Sequence, residues 1–206
     1  MKRISLAISA SLILGFFTVQ SCNQKGADNA QVADVATPAN NSESIKRGEY
    51  LVTIMGCDDC HTPKKMGAQG PELDMENRFS GHPAQMPLGP VDAAALKDWV
   101  LFNQATTAYV GPWGVSYAAN LTPDETGIGN WSETQFFKAM REGKYKGLDS
   151  SRPLLPPMPW TSFKHTNDED LKAIFAYLKS VKPVNNLVPM NVAPDRVAML
   201  NKVAAK

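Results

Sequence analysis

The 206-residue chain is poor in cysteine, with three, and has no surplus of either charge. Lys and Arg total 21 against 20 Asp and Glu, a formal net charge of +1. That balance argues against non-specific nucleic-acid binding, which needs clustered Lys and Arg to neutralise phosphates. The sequence also lacks internal repeats and any sustained apolar–polar alternation, so it offers no sign of a strand. Beyond the first 21 residues no stretch is long and apolar enough to cross a bilayer. Leu, Ile, Val and Phe are too frequent for full disorder or a collagen-like chain, and the length suits one domain, or one with appendages. Fifteen Pro and 14 Gly predict long structured loops between few regular elements.

The amino terminus reads as a secretory leader over residues 1–21. Lys2 and Arg3 form a positive head, and Ile4 to Val19 is apolar without a charge. The following Val19-Gln20-Ser21-Cys22 resembles a bacterial lipoprotein signal, which implies lipidation at Cys22. Acyl chains there would anchor the protein to a membrane surface. The plainer reading is an ordinary secretory leader with a stray cysteine. Loss of Lys2 and Arg3 would leave the basic residues one short of the acidic ones, a net of −1. Residues 22–44, rich in Asn, Ala, Ser and Asp and without an aromatic, read as a flexible tether.

Order is expected from about residue 45. Ile45, Tyr50, Leu51, Val52, Ile54 and Met55 suggest a short helix ending at Gly56, with Gly48 marking a close helix crossing. Residues 64–91 read as loop. Asp92 looks like the cap of a helix from Ala93 to about Asn103. Residues 105–130 read as loop again. Ser132 with Gln135 forms a capping-box pattern for a helix stopped at Gly143. After a Pro-rich loop over 144–165, Thr166 with Glu169 forms a second such pattern. It precedes Leu171, Ile174, Phe175, Leu178 and Val181 at helical spacing, and Pro183 ends the run. Residues 191–206 are a tail with a possible short helix from Asp195. The expected fold class is all-α: three to five helices with long loops. Such loops are unusual in a compact domain unless a large apolar cofactor supplies part of the core.

Cys57-Asp58-Asp59-Cys60-His61 is a CxxCH motif. Two thiols on one turn can each add to a vinyl group of one porphyrin, and the next residue then offers its imidazole to iron. A disulfide across the two intervening residues would close only a small loop and stabilise little. A thioredoxin-like pair needs a surrounding βαβ pattern, which is missing, and a zinc site needs further soft ligands, with no further cysteine nearby. The motif thus predicts one covalently attached haem c, with His61 on the iron.

A second axial ligand is sought among the methionines, since His and Met commonly hold haem iron together. Met158, in Leu154-Leu155-Pro156-Pro157-Met158-Pro159-Trp160, lies in a loop stiffened by proline and close to the last strong helix. Met86 is its methionine rival. His82 and His165 are the rivals for a second imidazole, otherwise ordinary histidines.

The chain resembles class I c-type cytochromes with a single haem. Residues 45–61 look like the first helix and haem motif, Met158 like the ligand loop, and Thr166 to Val181 like the closing helix. The resemblance implies a cytochrome c-like fold in which the first and last helices cross at a Gly/aromatic contact; Gly48, Tyr50 and Tyr177 are the matching residues. The stretch from Trp113-Gly114-Val115 through Asn120-Leu121-Thr122-Pro123-Asp124 to Thr126-Gly127-Ile128-Gly129-Asn130-Trp131-Ser132 is similar to haem domains in the cytochrome subunits of membrane-bound alcohol, aldehyde and gluconate dehydrogenases. The resemblance covers about residues 45–190. One haem motif stands where those subunits have several, and residues 66–104 look like an insertion.

Haem propionates need donors, and Trp113, Tyr117, Trp131 and Arg152 are the candidates. Core packing explains the aromatics equally well, and a solvated charge explains Arg152. Asp58 and Asp59 either make an acidic rim for basic partners or are solvated loop acids. These features together predict an electron carrier with no catalytic residue and no small-molecule substrate. Its expected setting is the periplasm or cell surface, tethered to the membrane by lipid, between redox partners such as a membrane dehydrogenase and an oxidase. A peroxidase-like haem enzyme, a dehydrogenase cytochrome subunit and a haem sensor are the alternatives.

Overall fold

The computed structural model describes residues 38–92 and 94–198; the leader, Cys22 and the tether up to residue 37 lie outside them. The first helix, α1, spans Pro38–Ile54 and so begins within the stretch read as tether. Gly56, at φ 69°, turns the chain into a second, short helix, α2, Cys57–His61. Its left-handed backbone is one that residues with a Cβ rarely adopt.

The all-α expectation is wrong. Two antiparallel sheets occupy stretches read as loop. Strands β1 (Lys64–Gly67) and β2 (Gly70–Leu73) form a hairpin with Gly67 opposite Gly70. Strands β3 (Leu101–Phe102), β4 (Ala108–Gly111) and β5 (Gly114–Tyr117) form a three-stranded sheet in that order. The strands are two to four residues long, too short for alternation to stand out from chance. Gly111-Pro112-Trp113-Gly114, read as loop, is the hairpin turn between β4 and β5. The helix expected after Asp92 is also absent. Asp92 does accept a hydrogen bond from the Ala94 N–H (2.8 Å), but only a 3₁₀ turn at Ala95–Lys97 follows before β3.

Helix α3 (Glu133–Glu142) has the anticipated capping box: Ser132 accepts from the Gln135 N–H and the Gln135 side chain accepts from the Ser132 N–H. It stops at Gly143, in left-handed backbone. A single turn, α4, covers Trp160–Phe163. Helix α5 (Asp168–Ser180) starts one residue later than its pattern suggested. Its cap is Asn167, whose side chain accepts from the Asp170 N–H (2.7 Å).

The main core lies where α1 crosses α5. A Cβ on Gly48 would stand 2.0 Å from the Ala173 carbonyl oxygen and 2.7 Å from the Tyr177 Cβ, so only glycine permits this approach. Leu51, Val52, Phe79, Ile128, Phe136, Leu171, Ile174 and Leu178 are buried around the crossing. Tyr50 is not part of it; it is exposed, beneath the Arg47 guanidinium. A second, smaller core sits on one face of the three-stranded sheet, from Val110, Val115 and Val197. The tail seals it: Val192 pairs with Val115, and a 3₁₀ turn at Pro194–Arg196 stands where the short helix was expected. Among the described residues no helix is long and apolar enough to cross a membrane.

Candidate functional site

The site is built on α2. Its five residues carry Cys57 and Cys60, both free and half-buried, and end on His61. Burial among apolar neighbours raises the Cys57 thiol to about 12, with the nearby Asp58 carboxylate adding to the shift. The adjoining carbonyls need donors, because a helix end leaves them unpaired. Lys64 supplies them: its ammonium donates to the carbonyls of Asp58 (3.3 Å), Asp59 and Thr62 (2.9 Å).

His61 is buried and held from two sides. Its carbonyl accepts from the Gly81 N–H (2.8 Å). Its Nδ1 lies 2.8 Å from the Ala119 carbonyl oxygen, so Nδ1 carries the proton and Nε2 is left with a free lone pair. Burial pushes the imidazole below its usual pKa, which favours the neutral ring that metals bind. The chain that donates these groups is itself paired: the Leu121 N–H donates to the Phe79 carbonyl (2.8 Å) and the His82 N–H to the Ala118 carbonyl (2.9 Å).

Asp58 is neither rim acid nor solvated. It is buried and takes a two-pronged salt bridge from Arg78: Nε to Oδ1 at 2.9 Å and Nη2 to Oδ2 at 2.7 Å. Thr62 Oγ1 also donates to it (2.7 Å). Burial alone would raise its pKa, but the Arg78 and Thr62 hydrogen bonds outweigh that and hold it below the usual carboxylate value. Arg78 Nη1 continues to the Tyr177 hydroxyl (2.8 Å) on α5. The attachment helix is thereby tied to the main helix crossing through a residue that no sequence pattern marked.

Met158 is half-buried and packs against the main core, as does Cys57. The rivals are otherwise engaged. His82 is fully buried: its Nε2 donates to the Met86 carbonyl (3.2 Å), so its Nδ1 accepts from Thr107 Oγ1 (2.9 Å), and neither nitrogen is free. The Met86 sulfur accepts from Asn103 Nδ2 (3.5 Å). His165 is exposed.

The four expected propionate partners scatter. Trp131 packs on the main core and Tyr117 on the smaller one, 4.8 Å from the His82 ring. Arg152 stacks on Tyr145 at 4.0 Å and donates to the Asn191 side chain (3.1 Å) and the Pro153 carbonyl (2.9 Å). Trp113 Nε1 donates to Ser116 Oγ (3.2 Å). Tyr109, unremarkable in sequence, places its hydroxyl 2.9 Å from Cys60 Sγ. Among the described residues no set of three or more His, Cys, Asp or Glu side chains stands together as a metal site.

Two free thiols on one turn, followed by an imidazole with Nε2 bare, form a donor set that fits a haem. Comparison with known proteins agrees. Over most of its length the chain is similar to cytochrome c subunits of dehydrogenases. It is 34% identical to the gluconate 2-dehydrogenase cytochrome c subunit of Pantoea cypripedii over 155 residues, 74% of this chain and 26% of that one. It is 31% identical to the cytochrome c subunit of the quinone-type alcohol dehydrogenase of Gluconobacter oxydans over 172 residues, 82% of this chain and 26% of that one. A nicotinate dehydrogenase subunit from Pseudomonas putida is 48% identical over 166 residues, 79% of this chain but 11% of its own length. The chain thus spans about a quarter or less of the curated relatives it matches. No family model matches it.

Proposed function

We propose that this chain is a mono-haem c-type cytochrome that passes single electrons between redox proteins, with a dehydrogenase as donor. The observation that carries the reading is the state of His61: buried, its Nδ1 proton held by the Ala119 carbonyl, its Nε2 free, and next to Cys60. Cys57 and Cys60 hold the porphyrin covalently, and His61 and Met158 are the iron ligands. Haem supplies one-electron redox chemistry when bound. The chain's own residues fix the imidazole, shield one side of the ring with apolar core, and set the potential through ligand type, burial and hydrogen bonding. The cytochrome subunit names of the relatives support the dehydrogenase partner.

The leader and Cys22 support an exported, lipid-anchored protein at the periplasm or cell surface, and residues after Cys22 act as its tether. Cys22→Ala is expected to release it from membranes; unchanged fractionation would reject the anchor. For the haem, the test is Cys57→Ser with Cys60→Ser. Expressed where c-type haem is attached, the native chain is expected to keep haem stain through denaturing electrophoresis and the double variant to lose it. Met158→Ala is expected to remove the weak far-red Met–iron band. A colourless native chain would reject the reading.

A further inference from the structure

Residues on one face of the three-stranded sheet have no place in either core. Phe102 pairs with Tyr109, and Tyr109 with Ser116, so these three share a face opposite to Val110 and Val115. Each end of this row touches a different part of the site. At one end the Tyr109 hydroxyl donates to the Thr106 carbonyl (2.6 Å) and lies 2.9 Å from Cys60 Sγ on the attachment helix. At the other, Ser116 Oγ donates to the Pro156 carbonyl (2.5 Å), two residues before Met158. Ser116 is buried, and Trp113 Nε1 orients its hydroxyl by donating to the oxygen (3.2 Å). One hydroxyl thus joins the β4–β5 turn to the ligand loop, 40 residues away in sequence.

We propose that this sheet face is a spacer between the attachment helix and the Met158 loop, and that Ser116, set by Trp113, is a positioning residue latching the thioether towards the iron. The inference rests on the haem reading above. A thioether is a weak, neutral ligand, and a loop carrying one must be restrained to keep it in place. Prolines restrict the loop's torsions, but they do not fix its distance from α2. A rigid sheet with a contact at each end does.

The test is competition at the ferric iron of the full-length, haem-loaded protein, with imidazole as probe. Ser116→Ala is expected to keep covalent haem, weaken the far-red band and bind imidazole about tenfold more tightly, the equivalent of one lost hydrogen bond. Ser116→Thr, which keeps the hydroxyl, is expected to stay within about twofold of the native protein. Ser132→Ala, a cap change remote from the loop, is the control for stability and is expected to leave imidazole affinity unchanged. If Ser116→Ala yields no folded protein, Trp113→Phe removes only the orienting N–H, and about a threefold gain in imidazole affinity is expected. Unchanged affinity in a haem-loaded Ser116→Ala, or an equal rise in Ser132→Ala, overturns the latch and leaves the haem reading standing. Native protein that carries covalent haem without the far-red band overturns it together with the Met158 assignment. Native protein without covalent haem overturns the function itself.

Discussion

The helical and sheet halves of the described chain are built on different economies. The α1–α5 crossing buries large side chains around a backbone contact that only Gly48 allows. The sheet half buries three valines under a tail and offers its other face to the attachment helix and the ligand loop. Stability is concentrated in the first and positioning in the second. That separation suits a redox site: the part that fixes geometry is not the part that drives folding.

Four substitutions and one titration probe that contrast. Gly48→Val is expected to be the most damaging. Overpacking costs about 1–3 kcal/mol where neighbours can shift, and more against a fixed carbonyl oxygen such as that of Ala173. Circular dichroism should show no cooperative unfolding; a transition near the native midpoint would mean the crossing is looser than its distances imply. Arg78→Ala attacks the joint between the halves, leaving Asp58 buried and unpaired. A loss of about 3 kcal/mol in urea unfolding is expected, and Asp58→Asn in the same chain should recover part of it. No recovery would show that Arg78 matters for packing alone.

Within the sheet half, Val115→Ala should cost about 2 kcal/mol, from lost apolar burial plus the void left. The midpoint should fall while α1–α5 helicity persists; an effect as large as that of Gly48→Val would erase the distinction between the halves. Ser132→Ala removes one cap of α3 and should cost about 1 kcal/mol. The smallest effect is expected at Arg47, which pairs with Asp170 across the crossing at 2.8 Å but is exposed. Arg47 holds the Asp170 carboxyl below its usual value, mainly through their hydrogen bond. A depressed carboxylate stabilises the fold above its unfolded pKa, about 4, and the contribution is lost as pH falls through the folded value. The difference between native and Arg47→Ala protein should therefore be visible at neutral pH and vanish in acid. A difference that grows in acid would contradict the pairing.

Local chemistry was legible in the sequence where neighbours along the chain act together. CxxCH is a five-residue unit, and the Ser132/Gln135 box spans one helical turn. The apolar spacing of α5 showed its buried face, although its cap is Asn167 and not Thr166. Gly48 marked a crossing because close approach leaves no room for a side chain. The strands escaped notice because two to four residues are too few for a period of two to emerge. Arg78 and Asp58, 20 residues apart, and Ser116 and Pro156, 40 apart, had no pattern to betray them.

By itself the sequence determined the chemistry on offer: two thiols and an imidazole on one turn, a proline-stiffened methionine, and the helices that carry the main core. Periodicity and adjacency suffice there, since one turn of backbone sets the spacing. Only the tertiary structure decided which imidazole nitrogen is free, which carboxylate is paired, and what holds the ligand loop opposite the attachment helix. Each depends on a carbonyl, guanidinium or hydroxyl brought from a distant segment, and a directional hydrogen bond of about 3 Å exists only once packing has placed both partners.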